Sequence, residues 1–267
     1  MSEGPLFDFL FLKPFLTGLA YAVLLPVLGC YLRLRDEWLA ALAFTQVAAA
    51  GALGALAFAA PPVIGGLAAA AFAALLKHRS SHVGNAVYAL LYLAGWGVAI
   101  LLVANLPLAE RLARALFDGQ LYFSGQGHLL AAWLVLPLAL AWLLRLSRVL
   151  LVSRYLPGHL LATGRHEGRF HLGFDLLVAG ALAFATMSIG VAAAFALIFV
   201  PAWIVCESAS GWRRALVLSA LTGAAGYAAA FVLALALDQP FGPILAIIFA
   251  LATVMTLTLK RQGLHQS

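Results

Sequence analysis

Charge is what this sequence has least of. Only 10% of its 267 residues are Asp, Glu, Lys or Arg, 64% are apolar, and the mean hydropathy is +1.02. So few polar groups cannot cover the apolar surface of a soluble domain, which excludes a water-soluble globule. Cysteine is nearly absent. Cys30 and Cys206 stand far apart, within or at the end of apolar runs and without metal-finger spacing, and read as small buried hydrophobes. No HExxH, no GxSG and no pair of intramembrane aspartates occurs, so nothing points to an intramembrane protease. No phosphate-binding P-loop occurs either, so any ATP used is hydrolysed by another chain. Acids are also missing from the middle of the apolar runs. Asp175, Glu207 and Asp238 fall near run ends, which leaves no proton or sodium relay of the kind many secondary transporters carry.

What is present is a series of continuous apolar runs of helix length. A β-barrel would show alternating ten-residue segments instead, so the expected class is an all-α polytopic membrane bundle. Nine spans are expected, at about 15–32, 38–60, 62–76, 86–106, 129–144, 172–189, 191–206, 214–237 and 242–259. The runs at 62–76 and 191–206 are short for a helix crossing a hydrocarbon layer on its own. Pro61-Pro62, Gly190, and Pro240 with Gly242 punctuate tight connections.

The basic residues orient the bundle. With nine spans, thirteen of the sixteen Lys and Arg fall on one side, leaving Lys13, Arg111 and Arg114 opposite. By the positive-inside rule the rich side is cytoplasmic, so the N-terminus is expected outside and the C-terminus inside. Basic residues at run ends are topology signals, and the net charge of +6 therefore does not imply nucleic acid. The start MSEGPLFDFLFLKP has acids before its only lysine and is expected not to be a cleaved leader. The histidines keep to the edges as well. His78 and His82 have helical spacing but at a run end, where they read as a solvated helix terminus rather than a metal site.

Domain organisation follows as an N-terminal interfacial segment 1–14, a transmembrane domain 15–262 and a tail 263–267. In the outer connection 107–128, Leu108, Leu112 and Leu116 recur against Glu110, Arg111 and Arg114, which predicts a short interfacial helix. Small residues cluster after Ala48, after Gly65, and at Ser219, Gly223 and Gly226, the pattern of closely packed helices. The longest break in the apolar pattern is RLSRVLLVSRYLPGHLLATGRHEGRFH, from Arg145 to His171, with five arginines, three histidines and one acid. It is the expected cytoplasmic hub.

Several stretches resemble one family, the permease subunits of zinc-, manganese- and iron-type metal ABC transporters. They are FLKPFLTGLAYAVLLPVLGCYLRLRDEWLA, VYALLYLAGWGVAILLVANLP, RALFDGQLYFSGQGHL, FDLLVAGALAFATMSIGVAAAFALIFVPAWIV and LDQPFGPILAIIFALATVMTL. The last contains an Asp-x-Pro-x-Gly-Pro turn at Asp238, Pro240, Gly242 and Pro243. The resemblance implies a homodimer in a bacterial inner membrane, served by a cytoplasmic ABC ATPase dimer and a periplasmic or lipid-anchored metal-binding protein. This chain would bind no cofactor, ATP and Mg being used by the ATPase, and would not itself be an enzyme.

The resemblance also assigns residues. A short helix before the sixth span docks into the ATPase, and its counterparts here are Tyr155, Leu156, Pro157, Gly158, His159, Leu160, Leu161, Thr163 and Gly164. Leu156, Leu160 and Leu161 supply apolar knobs and Gly164 can end the helix. Relatives often carry acids where this chain has Pro157-Gly158, so docking is expected to rest on shape and on His159. In the second span, relatives moving bare metal ions have Asp and His four residues apart. Counting back from Gly51 places Leu42 and Gln46 there, a poor ligand pair. Either the metal ligands come from elsewhere, or the cargo is a chelate on a softer polar path through Thr45, Gln46, Asn85 and Tyr88. Gln46 could equally serve a helix–helix hydrogen bond. A non-ABC secondary transporter or channel for a small polar solute is the alternative function.

Overall fold

A computed structural model describes residues 9–80, 85–119, 125–156 and 167–264. Ten helices lie among these residues. They are α1 (Phe9–Leu34), α2 (Leu39–Ala57), α3 (Pro62–Arg79), α4 (Asn85–Asn105), α5 (Pro107–Asp118), α6 (Gln126–Tyr155), α7 (Glu167–Ile189), α8 (Val191–Cys206), α9 (Trp212–Leu237) and α10 (Phe241–Leu264). No strand occurs among the described residues. Every one of the nine expected runs is a helix, and α5 is the short helix expected in the outer connection. Seven helices, α1, α2, α4, α6, α7, α9 and α10, are long and apolar enough to cross a membrane by themselves. The two that fall short, α3 and α8, are the two runs that were short in the sequence.

α1, α2 and α7 are the most enclosed of the long helices, and α4, α6, α9 and α10 the least. α8 compensates for its sixteen residues by being buried along its whole length, from Val191 to Val205. The outer helices turn apolar side chains outward, including Leu90 and Leu101 of α4, Leu134 and Leu144 of α6, and Leu251 and Met255 of α10. Such faces suit lipid rather than water.

Between helices, small residues do the packing. A Cβ on Gly51 of α2 would run into the Gly65 carbonyl of α3, and one on Gly65 would run into the Gly51 carbonyl. Removing both side chains lets the two backbones touch. Gly223 and Gly226 of α9 lie against Ala22 and Pro26 of α1 and against Phe249 of α10. The junction of α7 and α8 is a single residue, Gly190, with φ +91°. It faces Gly119, itself at φ +81°. L side chains rarely adopt that conformation, and a Cβ on Gly190 would stand 2.7 Å from Gly119 Cα.

Three details refine the expected layout. Within the described residues α1 is already helical from Phe9, so residues 9–14 are continuous with the first expected run; residues 1–8 lie outside the described residues. The first part of the basic hub is helical, because α6 runs on through Arg145, Arg148 and Arg154 to Tyr155. Leu143, Leu146, Val149 and Leu150 keep a buried stripe going while those arginines face outward, and the sequence offers no breaker before Pro157. Its 30 residues make roughly 45 Å of helix, well over the ~30 Å hydrocarbon thickness. On α5 the packed stripe is Ala109, Ala113 and Leu116, joined by the half-buried Leu112, while Leu108 is exposed. The alanines sit against Ala49–Leu53 of α2 and Val191 of α8, where close approach favours the smaller side chain.

Candidate functional site

At the end of the molecule where α1 turns into α2, four charged side chains close a ring. Arg35 follows α1, and Asp36, at φ +57°, reverses the chain so that Glu37 precedes α2. Lys77 lies in the last turn of α3, and Asp175 about two turns into α7. The Arg35 guanidinium reaches Asp175 Oδ1 at 2.8 Å and Glu37 Oε2 at 2.8 Å. The Lys77 ammonium reaches Asp175 Oδ2 at 2.8 Å and Glu37 Oε1 at 3.0 Å. Each cation thus lies between both carboxylates, and the ring is formally neutral.

These side chains are only 1% to 17% exposed, so solvent does little to screen them. Burial alone would draw the Arg35 guanidinium down, but Asp175 and Glu37 outweigh it and hold it above the ordinary arginine value. Aromatic faces complete the enclosure, with Phe174 5.1 Å from the Arg35 guanidinium and Tyr88 5.7 Å from the Lys77 ammonium. Removing one partner from such a buried set costs about 3–5 kcal/mol, because it strands a charge.

Two residues expected on a substrate path belong to this surrounding. The Tyr88 hydroxyl donates to Glu37 Oε2 at 3.2 Å. The Asn85 amide donates to the Asp36 carbonyl at 3.0 Å, and its Oδ1 is buried without a partner. The other two sit deeper on α2. Thr45 is fully buried and its hydroxyl donates back to the Ala41 and Leu42 carbonyls, both at 3.0 Å. Gln46 is 5% exposed and its Oε1 has no hydrogen-bond partner, so no helix–helix bond to that oxygen is made. Leu42 is half-buried. The structure therefore joins Asn85 and Tyr88 at the ring and leaves Thr45 and Gln46 roughly 12 Å along α2 from Glu37.

A cavity of about 710 Å³ opens beside the ring, between α1, α2, α6, α8 and α10. Arg33, Asp36, Trp38, Arg154, Phe199 and Trp203 are among its walls, as is Ala41 one turn before Thr45. Thr45, Gln46, Asn85 and Tyr88 are not. Tyr155 and Leu156 stand exposed at the end of α6. The rest of the expected docking helix, Pro157 to Gly164, lies outside the described residues. That segment leads straight into α7, which carries Asp175. Among the described residues no group of three or more His, Cys, Asp or Glu converges as a metal site.

In the sequence, Arg35 and Lys77 stand at span ends like the other topology signals and Asp175 is a helix-end acid, so no local pattern marks the ring. The one available hint was Arg35-Asp36-Glu37, basic and acidic residues adjacent at a span end.

Residues 7–260 match the family described as ABC-3, the ABC 3 transport family. The chain belongs to that family. No curated protein matches its sequence. Among solved structures, PsaBC from Streptococcus pneumoniae in complex with Fab superposes with a TM-score of 0.81 at 15% identity, covering 93% of this chain and 91% of that one. A structure described as an inward-facing conformation of a metal-chelate type ABC transporter superposes with a TM-score of 0.72 at 18% identity, covering 92% of this chain and 85% of that one. At these identities the two likenesses establish the fold. The resemblance to metal ABC permeases, read from stretches spread over most of the chain, holds at family level. An ABC 3 chain with these apolar helices is a multi-pass membrane protein and a transport subunit rather than an enzyme.

Proposed function

We propose that this chain is the membrane-spanning permease of an ATP-driven importer for a transition metal, carried as zinc, manganese or iron ion or as a chelate. It works as a homodimer in a bacterial inner membrane, with the N-terminus outside and the C-terminus inside, across nine spans that include α3 and α8. A cytoplasmic ATPase dimer and a periplasmic or lipid-anchored binding protein complete it.

The observation that carries the coupling half is the Arg35–Asp175–Lys77–Glu37 ring. ATPase closure pushes on the Tyr155–Gly164 segment. The next helix is α7, and Asp175 ties α7 to the α1–α2 turn and to the end of α3. A rigid neutral ring moves these parts as one block, since separating them would expose buried charge. The push is thereby passed to α2 and to whatever path Gln46 and Thr45 line. Linkage requires that the cargo, or its loaded binding protein, favour one of the two access states.

For the cargo, Leu42 and Gln46 stand where an Asp and a His would hold a bare ion, and a relative in fold is described as a metal-chelate type transporter. Both favour a chelate over a naked cation. The test is co-purification of an ATPase with the chain, combined with Leu160→Asp plus Leu161→Asp. Coupling predicts that the double substitution abolishes uptake while the protein stays in the membrane, and undiminished uptake rejects it. The metal content of cells with and without the chain decides the cargo.

A further inference from the structure

Cys30 and Cys206 are 176 residues apart in the chain and touch in the fold. The Cys206 thiol donates to Cys30 Sγ across 3.3 Å, and Cys30 donates in turn to Ser219 Oγ at 3.2 Å. Both are free thiols, Cys30 buried and Cys206 half-buried. Cys30 is one turn from the end of α1, and Cys206 is the last residue of α8.

The position matters more than the contact. Gly29, Leu32 and Arg33 beside Cys30, and Ala202 and Trp203 just before Cys206, all line the 710 Å³ cavity. α1 and α8 already touch there through reversible contacts. A Cβ on Gly29 would collide with the Ile198 carbonyl, so the backbones are in contact. Arg33 donates to the Trp203 carbonyl at 3.0 Å and pairs with Glu207 at 3.0 Å. The thiol pair is a third link between the same two helix ends, and it is the one that can become covalent. An S–S bond is about 2.05 Å long, so closure needs the two sulfurs, now 3.3 Å apart, to approach by roughly 1.3 Å.

We infer that Cys30 and Cys206 are a redox-sensitive pair whose closure to a disulfide clamps α1 to α8 at the wall of this cavity and arrests transport. The arrest rests on the permease reading; the closure does not. With a peroxide as the oxidant, the more accessible Cys206 thiol loses its proton to solvent. Its thiolate attacks one peroxide oxygen, giving a sulfenic acid, and the departing hydroxide takes up a proton as water. Cys30 sulfur then attacks the Cys206 sulfur, the S–S bond forms, and the sulfenic oxygen leaves as a second water with the Cys30 proton. Two thiols and one peroxide thus become one disulfide and two waters. A reducing thiol pool keeps such a pair open, and closure follows only when peroxide outruns it. Alternating access needs the helices walling a cavity to move against one another, and a covalent link between two of them holds one state.

The test uses the full-length chain, purified and reduced in lipid nanodiscs, then titrated with hydrogen peroxide. After denaturation, a mass-tagging maleimide counts the thiols left, and peptide mass spectrometry locates any cross-link. Expected is joint loss of both thiols as an intramolecular Cys30–Cys206 link, reversed by dithiothreitol. Cys206→Ser should keep Cys30 reactive at the same dose. Both thiols surviving a dose that oxidises an exposed control dithiol overturns the inference. So does a link between two copies, or a tightly held zinc or copper ion in the reduced form that Cys206→Ser abolishes. In cells, uptake by the wild type should fall in proportion to the cross-linked fraction and recover with reductant, while Cys206→Ser and Cys206→Ala resist. Cross-linking with undiminished uptake overturns the clamp. No uptake by the reduced wild type overturns the permease reading, and the thiol count still decides the pair.

Discussion

Asp175→Asn is the sharpest probe of the ring. The side chain is 1% exposed and holds Arg35 and Lys77 at 2.8 Å each. The substitution keeps the shape and removes one negative charge, so two buried cations share a single carboxylate, Glu37. The amide oxygen still accepts one hydrogen bond, while its NH2 faces a cation. One stranded buried charge costs about 3–5 kcal/mol. For a chain of this size each kcal/mol lowers the melting temperature by about 2–4 °C, so a fall of roughly 10 °C is expected for the purified chain in a fixed detergent. The second arm is Asp175→Asn with Lys77→Met, which restores neutrality around the surviving Arg35–Glu37 pair. It should regain at least ~2 kcal/mol over Asp175→Asn, a coupling that independent sites do not show. An Asp175→Asn cost below ~1 kcal/mol, the value of a solvent-exposed pair, would refute the ring as a buried unit. Strict additivity of the two substitutions would refute it too.

Other positions carry their own expectations. Gly190→Ala combines a positive φ with a Cβ 2.7 Å from Gly119 Cα and should cost at least ~1–3 kcal/mol in thermal unfolding; a neutral result means the α7–α8 junction is built differently. Gln46→Leu removes a buried oxygen that has no partner, so the resting chain should be as stable or more stable by up to ~1–3 kcal/mol, while uptake falls if Gln46 lines the path. Unchanged uptake removes Gln46 from the path. Glu110→Ala breaks an i,i+4 pair with Arg114 whose members are 55% and 73% exposed, and should shift stability by no more than ~0.5 kcal/mol.

The sequence carried the fold further than the site. Spans of about 20 apolar residues are a direct consequence of bilayer thickness, so the nine runs could be read one by one without knowing what each touches. The small-residue stretches were legible for a similar reason, since only a face without side chains lets backbones meet, as at Gly51 and Gly65. Boundaries were harder. The arginines after Leu144 break the apolar pattern, yet the buried stripe Leu146, Val149 and Leu150 continues beneath them, and helicity follows the stripe rather than the charges. Asn85 and Tyr88 are expected on a substrate path, but their partners in the fold, Asp36 and Glu37, sit about fifty residues earlier, beyond the reach of any local pattern.

Taken alone, the amino-acid order determined the class and the family. Those properties depend on composition and on spacing along one helix, and every residue reports them independently. What only the tertiary structure decided is pairing. Arg35 with Asp175, Lys77 with Glu37, and Cys30 with Cys206 each join segments that share no periodicity. In a low-dielectric interior a charge or a thiol is defined by its nearest neighbour, and helix packing alone sets which neighbour that is.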